Sequence, residues 1–204
     1  MLRRIPLSPI TALVLTLLLL ASPGAAQSTG VPVFQAPYRA FAKNEIAISY
    51  TDPGPGYSLE GSYRIDLGSH ADGGIRGGLL ETGNGVKTSA LLGVDARLRL
   101  IDHTETFSLD GSLTLGLGFR DNGRTVGYLP IGISMGRRFF VEGSSTSLVA
   151  YVQPTLTPMF ADASGTNFTL GFGVDVRLTQ RLDFRFSGGI GDLDGIGLGV
   201  AILH

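Results

Sequence analysis

From Lys43 to the last residue, apolar and polar side chains alternate with a period of two, and no window shows the 3.6-residue period of a helix. Such alternation gives a strand one apolar and one polar face. It is clearest between 86 and 101: Val86, Thr88, Ala90, Leu92, Val94, Ala96, Leu98 and Leu100 share one face, and Lys87, Ser89, Gly93, Asp95, Arg97 and Arg99 share the other. Only Leu91 breaks the second face. Ten strands are expected, near 43–50, 57–67, 73–81, 86–101, 106–120, 125–139, 146–160, 166–179, 181–191 and 195–203, with short Gly, Asp, Asn and Ser clusters between them. The count falls to eight if the two weakest, the first strand and the one after Gly73, are left out. This is an all-β chain.

Period alone does not say which face is outside, because a soluble barrel or sandwich alternates in the same way with its apolar side inward. Composition decides it. Charged residues make up 16% of the chain, against roughly 25–35% for a soluble surface. Lys43 and Lys87 are the only lysines, and the polar face is mostly Gly, Ser and Thr with a few Arg and Asp. Those residues suit the crowded inner wall of a small closed barrel. The apolar face then meets lipid, where strands of about 9–11 residues cross and closure pairs every backbone group.

The N-terminus supports export. Arg3 and Arg4 precede an apolar run from Ile10 to Leu20, and Ser22 to Gln27 offers small residues for cleavage after Ala26. Residues 1–26 read as a signal peptide, since the run is shorter than the roughly 20 residues of a spanning helix. Residues 27–42, with Pro32 and Pro37 among Val31, Val33, Phe34 and Tyr38, read as an extended periplasmic lead-in that can pack under or inside the domain formed by 43–204. No Cys occurs, so neither a disulfide framework nor a lipid attachment site is expected. A net charge of −1 removes the electrostatic case for nucleic acid.

With these features the chain resembles the small outer-membrane β-barrel proteins of Gram-negative bacteria, over Lys43 to His204. The resemblance implies a closed antiparallel up-and-down transmembrane β-barrel with an even number of strands and both termini in the periplasm. It also implies a monomer surrounded by outer-membrane lipid, with a last strand read by the barrel-assembly machinery. That strand, GIGLGVAILH, places Ile196, Leu198, Val200 and Ile202 toward lipid, and departs from the family where His204 replaces the usual terminal aromatic. All the outer loops are then short, which weighs against an adhesin. Tyr50, Tyr57, Phe107, Phe119, Phe139, Phe160, Phe168 and Phe184 fall near strand ends, where such barrels gather aromatics.

The inner wall is the candidate site. Arg64, Asp66, Arg76, Asp95, Arg97, Arg99, Asp110, Asp175, Arg177, Asp183 and Arg185 fall in its periplasmic half, while Ser89, Gly116, Gly118, Gly132, Ser134, Gly171, Gly189, Gly197 and Gly199 line the outer half. The expectation is a cup with a charged floor. GVDARLRL at 93–100 and GVDVRLTQ at 173–180 put an Asp and an Arg into that floor from two strands. The first reading is a packing network that fills a non-catalytic structural barrel. The second is a narrow polar pore, favouring anions because arginines outnumber acids in that set.

Two other functional classes are weighed. A lipid-modifying enzyme needs a histidine beside a hydroxyl and an acid, and Asp102-His103-Thr104-Glu105 has the ingredients, although a solvated turn is the simpler account. A soluble secreted barrel would bind an apolar ligand inside. Three scattered histidines, His70, His103 and His204, have no metal-ligand spacing, and no cofactor is expected. The glycines at 195, 197 and 199 precede no helix that would cap a phosphate.

Overall fold

In a computed structural model of the protein, residues 29–37, 43–54, 56–83, 87–104, 108–144 and 146–204 are described. The expected signal peptide, and Glu105 and Phe107, lie outside them. The strands are β1 (Glu45–Asp52), β2 (Gly56–Asp66), β3 (Ala71–Thr82), β4 (Lys87–Ile101), β5 (Asp110–Asp121), β6 (Thr125–Tyr128), β7 (Ile131–Phe140), β8 (Ser147–Ala161), β9 (Gly165–Arg177), β10 (Leu182–Gly191) and β11 (Gly195–Leu203).

Except for β6 and β7, which do not pair with each other, consecutive strands pair antiparallel, and β1 pairs with β11 from Glu45↔Leu203 to Asp52↔Ile196, which closes the sheet. The strands β6 and β7 share one position, since both pair with β5 on one side and β8 on the other. The fold is therefore a closed antiparallel barrel of ten positions, one of them held by a broken strand. The break falls at Leu129-Pro130, where proline has no N–H for the ladder. Leu129 N still donates to Pro158 O (3.0 Å), and Pro130 O accepts from Gly116 N (2.9 Å). Pro154 causes a similar gap, where the β7–β8 ladder passes from Gly132↔Thr155 to Met135↔Val152.

Apolar residues face outward. Ile48 is 60% exposed, Leu59 54%, Leu92 56% and Leu198 54%, while inward positions such as Thr51, Ser58, Ser89 and Ser134 are fully buried. Burial is thus inverted relative to a soluble barrel. The chain ends meet at one mouth, where Asn44 and His204 exchange backbone hydrogen bonds of 3.1 and 3.0 Å. We call this the terminal mouth and the other the distal mouth.

Aromatics mark both rims. Tyr50 and Tyr57 stack at 6.0 Å and Phe119 meets Phe160 edge-on at 5.8 Å toward the distal mouth, while Tyr63 stacks on His204 at 6.1 Å beside the termini. The turn residue His70 contacts Ser69 Oγ through Nδ1 at 2.6 Å.

Candidate functional site

The inner wall is filled from two sources. The first is charge, concentrated in the half nearer the terminal mouth. Arg64 of β2 donates to Asp72 of β3 (2.5 Å) and also to Asp95 of β4. It reaches Asp95 across Gly74, the residue in register between them, where a Cβ would stand 2.9 Å from Arg64 Cγ. Arg97 donates to the other oxygen of Asp72 (2.5 Å). Arg138 forks onto Asp110 (2.7 and 2.8 Å), and Arg177 forks onto Asp183 (2.8 and 2.9 Å). Arg185 crosses β11 to grip Glu45 of β1 with two bonds of 2.7 and 2.5 Å and lies 3.5 Å from Asp175. Planar forks on carboxylates are the geometry for which arginine rather than lysine is suited.

The sequence-selected residues thus divide. Arg64, Asp95, Arg97, Asp110, Asp175, Arg177, Asp183 and Arg185 join buried or half-buried ion pairs. Arg76 lies higher, 3.8 Å from the buried carboxylate of Glu60, with Nε and Nη1 unpartnered among the described residues. Arg99 is at the rim with Asp102 (2.7 Å). Asp66 stands apart from the network, because it ends β2 and its carboxylate accepts from Gly68 N in the exposed turn (2.7 Å).

Sequence reasoning passed over Glu45, Glu60, Asp72 and Arg138. The first two were legible, since both share the period-two face of small and hydroxylated residues, Glu45 with Ala47, Ser49 and Thr51 and Glu60 with Ser58 and Ser62. Asp72 was hidden because the strand begins at Ala71 rather than 73. The extra acids bring the interior close to charge balance, which removes the arginine surplus behind the expected anion preference.

The second source is the N-terminal segment. Thr29 to Pro37 lies within the barrel rather than below it, with Thr29, Val31, Phe34 and Ala36 at most 3% exposed. Gln35 N donates to Gln153 Oε1 (2.9 Å), and Gln35 Nε2 donates to Asp95 (3.0 Å). Ser134 Oγ donates to Gln35 O (2.6 Å), Ser187 Oγ donates to Pro32 O (2.9 Å), and Arg97 donates to Ala36 O. An extended segment has no internal ladder, so wall side chains must satisfy its buried backbone groups.

The wall is shaped to admit this strap. A Cβ on Gly171 would stand 2.1 Å from Phe34 Cδ1, and one on Gly189 3.1 Å from the same ring. Val31 packs on Leu80 and Leu91, so the apolar Leu91 on the polar face has an apolar partner inside. Phe34 and Ala36 cluster with Val149, Tyr151 and Leu193, the last folded into the distal mouth from the β10–β11 turn. The glycine-lined outer half of the expected cup is therefore occupied.

A cavity of about 50 Å³ lies between the strap and the β1, β2 and β11 wall, bordered by Arg64, Arg76, Asp95, Arg97, Asp175 and Arg185. That is room for a few waters, each needing about 10–15 Å³. His103 offers its backbone N–H to Asp110 Oδ1 (3.1 Å), near the terminal mouth. Among the described residues no His, Asp and Glu gather into a metal-holding group.

No protein-family model and no curated protein matches the chain. Among solved structures, similarity is found to a de novo designed transmembrane β-barrel, at 14% identity and a TM-score of 0.40 over 81% of this chain and 98% of the other. The β domain of the Bordetella autotransporter BrkA is similar at 11% identity and a TM-score of 0.45, over 80% and 98%. The closed barrel of the present chain is established by its own strand pairing.

Proposed function

We propose that the protein resides in the outer membrane of a Gram-negative bacterium and acts there without catalysis, as a structural barrel closed at rest by its own N-terminal strap. The carrying observation is the burial of Thr29 to Pro37 inside the barrel, bonded to side chains of β4, β7, β8 and β10. The ion pairs of the wall and the apolar clusters around the strap, which fill much of the lumen among the described residues, support this reading. The outward apolar belt supports the membrane assignment, since a soluble form would expose it to water. Heat-modifiable migration and recovery with outer membranes test the location; release into the soluble fraction would overturn it.

A narrow polar pore is the second reading, favoured by the small cavity that Arg76 lines, since Arg76 and its neighbour Glu60 have buried polar atoms incompletely partnered among the described residues. Planar bilayers distinguish the two. The intact barrel is expected to be silent, and a variant lacking 29–37 is expected to conduct. Steady conductance by the intact protein, lowered when Arg97 and Arg177 are both changed to Ala, would favour the pore instead.

A further inference from the structure

Outward side chains of the strands are apolar almost throughout, and one base interrupts them. Arg137 of β7 points outward with Met135 and Phe139, while its neighbour Arg138 points in to Asp110. The Arg137 guanidinium lies 5.4 Å from the Phe139 ring centroid and meets no carboxylate among the described residues. Phe139, Phe140 and Val141 follow it toward the rim and are 46, 68 and 53% exposed, so the charge sits inside the apolar belt. Hydrocarbon penalises such a charge increasingly with depth, and a long stem or a bound anion relieves the penalty.

The wall beside Arg137 is hollow. The strand registers align Arg137, Ala150, Val174 and Phe186 in one outward row, and Met135, Val152, Phe172 and Gly188 in the next. Ala150 is the short member of the first row. The result is an open groove of about 360 Å³, lined by apolar side chains with Arg137 at its edge.

We propose that this groove binds one glycerophospholipid, with an acyl chain in the hollow over Ala150 and the headgroup phosphate against the Arg137 guanidinium. The inference rests on the membrane location proposed above. A second copy of the chain is the poorer occupant. The outward acids of the described strands are Asp52, Glu81 and Asp121, all at the distal mouth. Asp52 accepts from Gly54 N, Glu81 from Tyr57, and Asp121 from Gly123 N and Thr125. A barrel inserted in the same direction therefore presents no strand acid at the level of Arg137, whereas a phospholipid carries phosphate and acyl chain together.

The test is native mass spectrometry of the folded, detergent-purified protein with phosphatidylglycerol, and with diacylglycerol of the same chains. Wild type should retain one phosphatidylglycerol and no diacylglycerol. Arg137→Gln should weaken retention at least tenfold, as should Ala150→Phe by filling the hollow, while Arg124→Gln in the distal turn should leave it unchanged. Wild-type retention by both Arg137→Gln and Ala150→Phe, equal retention of diacylglycerol, or a dimer lost with Arg137→Gln would overturn the site. Heat-modifiable migration, measured on every variant, shows that each is folded. A wild type that lies in the outer membrane but retains no phosphatidylglycerol sinks the site alone, whereas a soluble wild type sinks the location.

Discussion

At the scale of single residues, the interior depends on what glycine omits. Gly171 leaves the space that Phe34 fills, and a side chain there would share volume with the ring. Gly171→Leu is expected to cost about 1–3 kcal/mol by overpacking, and Phe34→Ala about 3–5 kcal/mol by leaving a cavity. The double variant should lose less than the two together, because each change removes what the other clashes with or exposes. Thermal unfolding of the three variants in detergent measures this, and strictly additive losses would mean that the ring does not sit on Gly171. The charged belt makes a second demand. Asp110→Asn removes the carboxylate charge from the half-buried fork with Arg138 and should cost up to about 3–5 kcal/mol, as breaking a buried pair does, whereas Asp102→Asn breaks an exposed pair with Arg99 and should cost no more than about 1 kcal/mol. Equal losses for the two would show that the inner belt is as solvated as the rim.

At the scale of the strand, sidedness decides tolerance. Leu92 lies midway along β4 on the outward face and is 56% exposed. Leu92→Arg is expected to lose about 2–4 kcal/mol of stability in vesicles, as a charge placed in hydrocarbon does. Urea unfolding of the vesicle-inserted protein checks it, and an unchanged midpoint would contradict a lipid-facing β4. This sidedness is legible in the sequence, because a period of two is local and β4, β5 and β9 carry it over many residues. Strand ends were less legible: pairing extends β3 back to Ala71, and with it brings Asp72 into the belt. Adjacent Arg137 and Arg138 were passed over although the alternation of Ile131, Ile133 and Met135 with Gly132, Ser134 and Gly136 puts one outward and one inward, and the register of β7 against β5 and β8 agrees with it. The break at Pro130 was invisible, since the residues on both sides keep their alternation.

At the scale of the whole molecule, the strap is the element that sequence reading located least well. Extended character followed from its prolines, but its burial depends on partners more than sixty residues away, such as Ser134, Gln153 and Ser187. Its apolar residues and the bare glycines of the opposite wall are complementary only once the barrel has closed. Because the strap is part of the same chain as β1, it competes for the lumen intramolecularly, at an effective concentration of about millimolar. A free peptide of residues 27–42 lacks that advantage and must pay the entropy of association itself. Added to a barrel lacking 29–37, it should suppress conductance only at concentrations near millimolar, and the same peptide with Phe34→Ala should be weaker. A scrambled peptide of equal composition should have no effect, because the bonds to Gln153 and Asp95 require Gln35 in place beside Phe34. Block by the scrambled peptide at the same concentration would reduce the strap to a space filler and remove the case for a specific seat.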